Sequence, residues 1–272
     1  MREIREERRM MDREALQPGL PRSVVTAFQV LEAVADAPRS GVTSLAKSLG
    51  LPKSTVQRSL KTLEELGYVY PSGELSRWVL TLKAYELGAR APVMDIRLAA
   101  LSEMNALSRL TGESINLMAL EGDSVIVVEK VDSTQAVRSF VARGERHPAH
   151  VSASGKALLA EMPDRLRELT SHPLDTYTPA TLDIAGLLAE IEEVKRRGYG
   201  VNRGEYREDV VAIGAVIRAP FGESRAAIGI SAPRHRAPNG LSHLAPDLLS
   251  ACDRVSAALL GENAHLAHGG DA

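Results

Sequence analysis

The chain has 272 residues, 44% of them apolar and 25% charged, with 33 Lys and Arg against 35 Asp and Glu for a formal charge of −2. That balance belongs to an ordinary soluble globular protein and excludes disorder along the whole length, while a single cysteine, Cys252, closes no intramolecular disulfide and supplies no cysteine metal cluster. No apolar run approaches the ~18 residues needed to span a bilayer, and the near-neutral total does not count against nucleic acid, because a small basic face vanishes in the average.

Residues 1–22 carry six Arg and five acids with little apolar content before Leu16. Such a segment buries too little surface to offset its ordering entropy and reads as a mobile tail. Arg2, Arg5, Arg8 and Arg9 have no apolar segment behind them, so no secretory signal is expected and the cytoplasm is the expected location.

From Ser23, a candidate N-cap, Val24, Ala27, Phe28, Leu31, Val34 and Ala35 recur at helical spacing, and Pro38 with Gly41 ends the element. Thr43 is placed to cap a short helix bearing Leu45, Ala46 and Leu49, which Gly50 terminates. A third helix follows Pro52 with Val56, Leu60 and Leu63 inward, completing a helix-turn-helix pattern. On its polar side Lys53, Gln57 and Lys61 stand four apart and Ser54 with Arg58 forms the neighbouring row, with Thr55 beside them; between Pro52 and Leu63 there are three cations and no acid. Lys and Arg neutralise phosphates, whereas Ser, Thr and Gln hydrogen-bond base edges. A solvated cationic face is the commoner meaning of such a stripe, and the short preceding helix with its Gly50 turn is what favours DNA. Tyr68 to Tyr70, the turn Pro71-Ser72-Gly73 and Trp78 to Leu80 read as a two-stranded wing whose tip carries Ser76 and Arg77, the latter within reach of a phosphate or the minor groove.

Helical segments around Gly88 and Pro92, bearing Tyr85, Leu87, Ile96, Leu98, Leu101, Met104, Leu107 and Leu110, form a linker over 83–110. The remainder, 111–260, reads as α+β. Strands are expected at Ile115 to Leu120 and Val125 to Val131 around a Gly122-Asp123 turn region, at Ala136 to Ala142, and as a hairpin at Val210 to Arg218 and Arg225 to Ser231. Helices are expected from Ser154 to Glu161, Leu182 to Arg197 and Leu248 to Leu260, and residues 261–272 read as a frayed, disordered tail.

Several stretches together resemble the IclR family of bacterial transcription regulators: Gly50-Leu51-Pro52-Lys53-Ser54-Thr55-Val56, Gly67-Tyr68-Val69, Ser152 through Ala160, Tyr177-Thr178-Pro179-Ala180-Thr181, Arg197-Gly198-Tyr199, Glu205 and Ile228 through Pro233. The likeness covers about Ser23 to Cys252. It implies a winged helix-turn-helix at 23–82, a linker helix, and a C-terminal antiparallel-sheet domain of GAF or PAS type that binds a small-molecule effector. It also implies homodimers or dimers of dimers on palindromic double-stranded DNA, repression rather than activation, and neither cofactor nor membrane. Carried over residue by residue, the effector is cradled by Ala153 and Ser154, with Asn202, Ala212, Gly229 and Ser231 on the sheet side and Ala136, Ser139 and His147 as walls. Family members that take very small keto acids carry bulkier or more polar groups at several of these positions, so the resemblance implies a wider pocket and a larger acid with an aromatic or aliphatic body.

The residues also bear on an enzyme, on a metal site and on an effector-independent binder. Gly155-Lys156 lacks the earlier glycine and the Ser/Thr of a phosphate loop, since His150 and Ala157 stand there. A hydrolase built on Ser152 or Ser154 has His147 and His150 nearby but no S-x-x-K spacing and no obvious carboxylate to orient an imidazole. Glu205, Glu208 and Asp209 surround Arg207 without a matching His or Cys set and read as a solvated acidic loop rather than a metal site. An effector-independent DNA-binding protein keeps the helix-turn-helix and drops the pocket.

Overall fold

A computed structural model describes residues 19–73, 77–218 and 226–268. Most of the expected N-terminal tail and Ser76 at the wing tip lie outside the described residues. The chain divides into two compact units between Ala91 and Pro92.

The first unit is α1 (Arg22–Asp36), α2 (Val42–Leu49), α3 (Lys53–Glu65), β1 (Val69–Ser72), β2 (Arg77–Leu80) and α4 (Lys83–Gly88). Gly50, left-handed at φ 61°, turns the chain between α2 and α3. Leu45, Ala46, Leu49, Val56, Leu60 and Leu63 enclose a core with Val30, Ala33, Val34, Val69 and Trp78. β1 and β2 pair antiparallel, and Trp78 bridges to Ser40, so the wing is stitched to the segment between α1 and α2. Three details differ from expectation. The N-caps of α1 and α2 are Pro21 and Gly41 rather than Ser23 and Thr43. Of the expected stripe Val34 is buried and Leu31 packs on the same core, joined by Val30 and Ala33, while Val24 and Phe28 are more than half exposed. Periodicity marks the helical face but not how far along the helix the core reaches.

The second unit begins with α5 (Val93–Thr111), whose Ile96, Ala100, Met104 and Leu107 lie in that unit's own core. The stretch expected as a free linker is thus split, one helix belonging to each unit. β3 (Ser114–Glu121), β4 (Ser124–Val131), β5 (Arg146–Pro148), β6 (Gly200–Asn202), β7 (Val210–Ile217) and β8 (Ala226–Pro233) form one antiparallel sheet in the order β5-β4-β3-β8-β7-β6. Helices α6 (Ala153–Ala160), α7 (Pro163–Leu169), α8 (Ile184–Arg197) and α9 (Ala245–His268) complete it. Residues 136–142 form no strand; β5 pairs with the Ser124–Ile126 end of β4 instead. The closing helix continues past residue 260 into the stretch read as a tail. Among the described residues no helix is long and apolar enough to cross a membrane.

Alternation along the strands assigns the two faces. Ile115, Leu117, Ile213, Ala215, Ile217, Ile228 and Ile230 pack with α5 and with Leu248, Ala251, Cys252, Val255 and Leu259 of α9. Burial pushes the Cys252 thiol up to about 12, leaving it a small inert core group. The other face receives α6 at very short range. A Cβ on Gly200 would stand 2.1 Å from the Ala153 carbonyl oxygen, one on Gly214 2.6 Å from the Ser154 nitrogen, and one on Gly229 2.8 Å from Ser154 Oγ. At Gly200 and Gly214 backbone meets backbone, which only glycine permits, and at Gly229 the Ser154 hydroxyl takes the place of a side chain.

Lys156 points from α6 into the interior, where its Nζ lies 2.7 and 2.5 Å from the two carboxylate oxygens of Glu205. Both side chains are essentially inaccessible, so Glu205 is a buried anchor and not part of a solvated acidic loop. Burial pushes the lysine down and the glutamate up, each toward its neutral form, and their mutual attraction opposes both. The Glu205 carbonyl accepts from the hydroxyls of Thr178 and Thr181, and Asn202 Oδ1 accepts from the amides of Gly204 and Glu205. The loop after β6 is therefore pinned against α6.

Two stability predictions follow from this packing. Lys156→Met leaves a buried carboxylate unpaired and should cost about 3–5 kcal/mol, most of it restored by adding Glu205→Leu. Urea unfolding followed by far-UV circular dichroism reads the change, while the fluorescence of Trp78, which sits in the other unit, serves as an internal control. Gly214→Ala should cost about 1–3 kcal/mol or more by overpacking; an unchanged midpoint would contradict the close approach.

Candidate functional site

Two surfaces carry the chemistry, one in each unit. On α3, Lys53, Ser54, Gln57, Arg58 and Lys61 are exposed and Thr55 is half-buried, because Val56, Leu60 and Leu63 take the opposite face inward. Lys61 Nζ lies 2.7 Å from Glu64 Oε2 one turn on, with both side chains in contact with solvent. Such a pair contributes about 0–1 kcal/mol and yields readily to a phosphate. Lys53 and Arg58 have no acid partner among the described residues. Arg77, exposed on β2, donates weakly from Nη1 to the Arg39 carbonyl at 3.4 Å. The helix therefore presents a convex polar face with its cations outward, and the wing is anchored beside it through Trp78.

In the second unit, a cavity opens between the start of α6 and the sheet. It encloses about 580 Å³ of non-atom space, open solvent at its mouth included. Eight of the nine residues expected there line it: Ser139, His147, Ala153, Ser154, Asn202, Ala212, Gly229 and Ser231. Ala136 does not; it is exposed in the irregular stretch after β4. The expectation that Gly229 widens the pocket also needs correction, since the space its side chain would fill is held by Ser154 Oγ. Sequence reasoning missed Asn116, Met118, Val141, Val151, Tyr206 and Arg207. Asn116 carries a legible signal, a lone amide in the apolar run from Ile115 to Leu120. Tyr206 and Arg207 enter only through the pinned loop.

The polar groups of the cavity are partly committed to one another. Ser152 caps α6, its Oγ accepting from the Gly155 amide at 3.3 Å, so it is not poised as a nucleophile. Asn116 Nδ2 donates to Ser231 Oγ at 3.2 Å. Asn202 spends its carbonyl on two loop amides, and its NH2 has no partner among the described residues. The amides of Ala153 and Ser154 have no hydrogen-bond partner among the described residues, as befits the first turn of a helix. His147 Nε2 stands 3.4 Å from Glu145 Oε1, an ion-pair separation without hydrogen-bond alignment. Burial alone would raise the Glu145 carboxyl, but His147, the Ala142 amide and Arg207 outweigh it and hold it near 2. The His147 ring is 5.2 Å from Tyr206, which meets Tyr177 edge-on at 5.1 Å. His150 contacts the Asp175 carbonyl at 3.0 Å, and burial pushes its pKa down. No acid lines the cavity.

Comparison with known proteins gives the same picture for both units. Residues 19–73 match the IclR helix-turn-helix domain, and residues 89–257 match the bacterial transcriptional regulator IclR C-terminal domain. The chain is 36% identical over 225 residues to the HTH-type transcriptional regulator KdgR of Escherichia coli K12, covering 81% of this chain and 85% of that protein. It is 31% identical over 233 residues to the HTH-type transcriptional repressor AllR of Escherichia coli UTI89, covering 84% and 85%. Among solved structures, an IclR homolog from Microbacterium hydrocarbonoxydans complexed with 4-hydroxybenzoate aligns with a TM-score of 0.78 at 25% identity, over 88% of this chain and 99% of that one. With both domains matched in order and the shared sequence running through most of the chain, this protein belongs to the IclR family and is a ligand-responsive, DNA-binding transcriptional regulator.

Proposed function

We propose that the protein is a cytoplasmic repressor that binds a palindromic operator as a homodimer or dimer of dimers and releases or rearranges on it when an organic acid enters the second unit. Two α3 helices would dock in successive major grooves roughly 34 Å apart. Lys53, Arg58 and Lys61 hold phosphates, Ser54, Thr55 and Gln57 face base edges, and Arg77 meets the backbone or the minor groove. Exposed Val24 and Phe28 on α1 and Tyr85 and Leu87 on α4 supply apolar surface suited to a second copy of the chain. Response to the effector requires different affinities for two arrangements of the assembly.

The unpartnered amides of Ala153 and Ser154, opening into a cavity without an acid, carry the effector reading. A helix N-terminus with free N–H groups attracts a carboxylate. The body of the ligand would rest on Met118, Val141, Val151, Ala212 and Ile213, with the Asn202 amide and the Ser139 and Ser231 hydroxyls placed for its polar groups. The 4-hydroxybenzoate complex of the Microbacterium relative supports an acid with an aromatic body. This reading gives these side chains structural roles: Ser152 caps α6 and Lys156 pairs with Glu205.

Operator binding tests the first half. Gln57→Ala should relax sequence preference at one position by about 1–3 kcal/mol, whereas Lys61→Ala should weaken all sequences alike and reduce the salt slope by about 1; full operator affinity in a chain with Lys53, Gln57, Arg58 and Lys61 all changed to Ala would refute the assignment. Calorimetry with a panel of acids tests the second half. Aromatic and medium-chain acids should bind, and tight binding of glyoxylate or pyruvate with none for larger acids would overturn it.

A further inference from the structure

A second hollow, about 550 Å³, opens beside the effector cavity and is lined by Val137, Arg138, Phe140, Asp209, Pro233 and His235 together with Ser139, Arg207 and Val210. These last three residues line both spaces, so the two hollows adjoin there; the first is called the inner chamber, the second the outer vestibule and the shared residues the neck. The two compartments differ in charge. The inner one contains no acid and gathers its polar groups around the amides of Ala153 and Ser154. The outer one holds Arg138, Arg207 and His235 against the single carboxylate of Asp209.

We propose that the vestibule is a second anion-recognising subsite, so that the effector is a dicarboxylate with one acid group on the α6 amides and the other beyond the neck at Arg138. This rests on the reading of the inner chamber as a carboxylate seat and deepens it by naming the ligand class.

Three observations carry the proposal. First, the wall bearing Arg138 is built. Arg236, clamped on Glu113 by two contacts of 2.5 Å, donates to the Val137 carbonyl at 2.8 Å. The hydroxyl of Ser114 donates to the Ser139 carbonyl at 3.2 Å. Arg138 therefore stands between two tethered residues although its stretch has no strand pairing. Second, the guanidinium of Arg138 has no acid partner among the described residues, in contrast to Arg236 on Glu113, Arg143 and Arg97 on Glu129, and Arg197 on Glu190. Arg207 lies 3.6 Å from Glu145, so its charge is shared with the protein. Third, Val137 and Phe140, both more than half exposed, flank Arg138 with apolar surface. A cation at a partly dry rim binds a carboxylate more firmly than one in open solvent, and the planar guanidinium accepts it in two-point fashion. A monoacid seated at the inner amides leaves this cation unused, since the neck separates the two.

Titration calorimetry of the full chain with paired probes tests this: straight-chain dicarboxylates from malonate to suberate, each against the monocarboxylate of equal carbon number. At one chain length that spans the neck, the dicarboxylate should bind about tenfold more tightly than its partner, an advantage that shrinks in high salt. In Arg138→Ala this ratio should fall toward one, and Arg138→Lys should restore part of it. Arg138 is exposed, so its replacement spares the fold. Monoacids that bind while no dicarboxylate exceeds its partner, or an advantage that survives Arg138→Ala, would overturn the second subsite and leave the inner seat standing. Failure of every acid in both series would remove the inner seat and this inference with it.

Discussion

The second unit depends on a close approach: α6 lies directly on the sheet because Gly200, Gly214 and Gly229 offer it no side chains. Ordinary helix-on-sheet packing keeps the two backbones apart by the length of their side chains. Here the space is closed, and what remains open is the region around the first turn of α6, where the helix has spare N–H groups and the sheet has small residues. The cavity is thus a consequence of how one short helix is seated. Fixing the helix is left to the Lys156–Glu205 pair, which ties α6 to the loop after β6 through the interior.

A buried ion pair is a costly way to hold two elements together, since each charge has left water. Its advantage is direction. Apolar contacts would let the loop slide, whereas a lysine nitrogen held by both oxygens of one carboxylate sets the loop in a single position. That same loop supplies Tyr206 and Arg207 to the cavity wall and Asp209 to its outer rim. The carboxylate that stabilises the fold and the side chains that would meet a ligand are therefore only one to four residues from one another in the chain.

The DNA-facing unit follows a different economy. Its polar side chains make few contacts, because Val56, Leu60 and Leu63 alone set the rotation of α3 and leave Lys53, Gln57 and Arg58 free to meet a partner. Lys61 is engaged only by an exposed glutamate one turn away. The rigid part lies behind that face, in the Trp78 ladder contact that joins the wing to the segment between α1 and α2.

Family likeness supplied eight of the eighteen residues that line the cavity, while local chemistry was legible from the residues alone: the helix-turn-helix with its Gly50 turn, the cation-rich face of α3 and the hairpins of the second unit. These depend on periodicity and on turns, which are written into neighbours in the chain. Tertiary structure alone decided how far along α1 the core reaches, that α5 joined the second unit's core, that residues 136–142 stayed unpaired while β5 took the edge of β4, and that Glu205 left solvent for Lys156. It also decided that Gly229 adds no room, and that Ser139, Arg207 and Val210 line both hollows. Each of these is a contest between surfaces distant in sequence for the same contact, and a single chain read residue by residue holds no record of which surface wins.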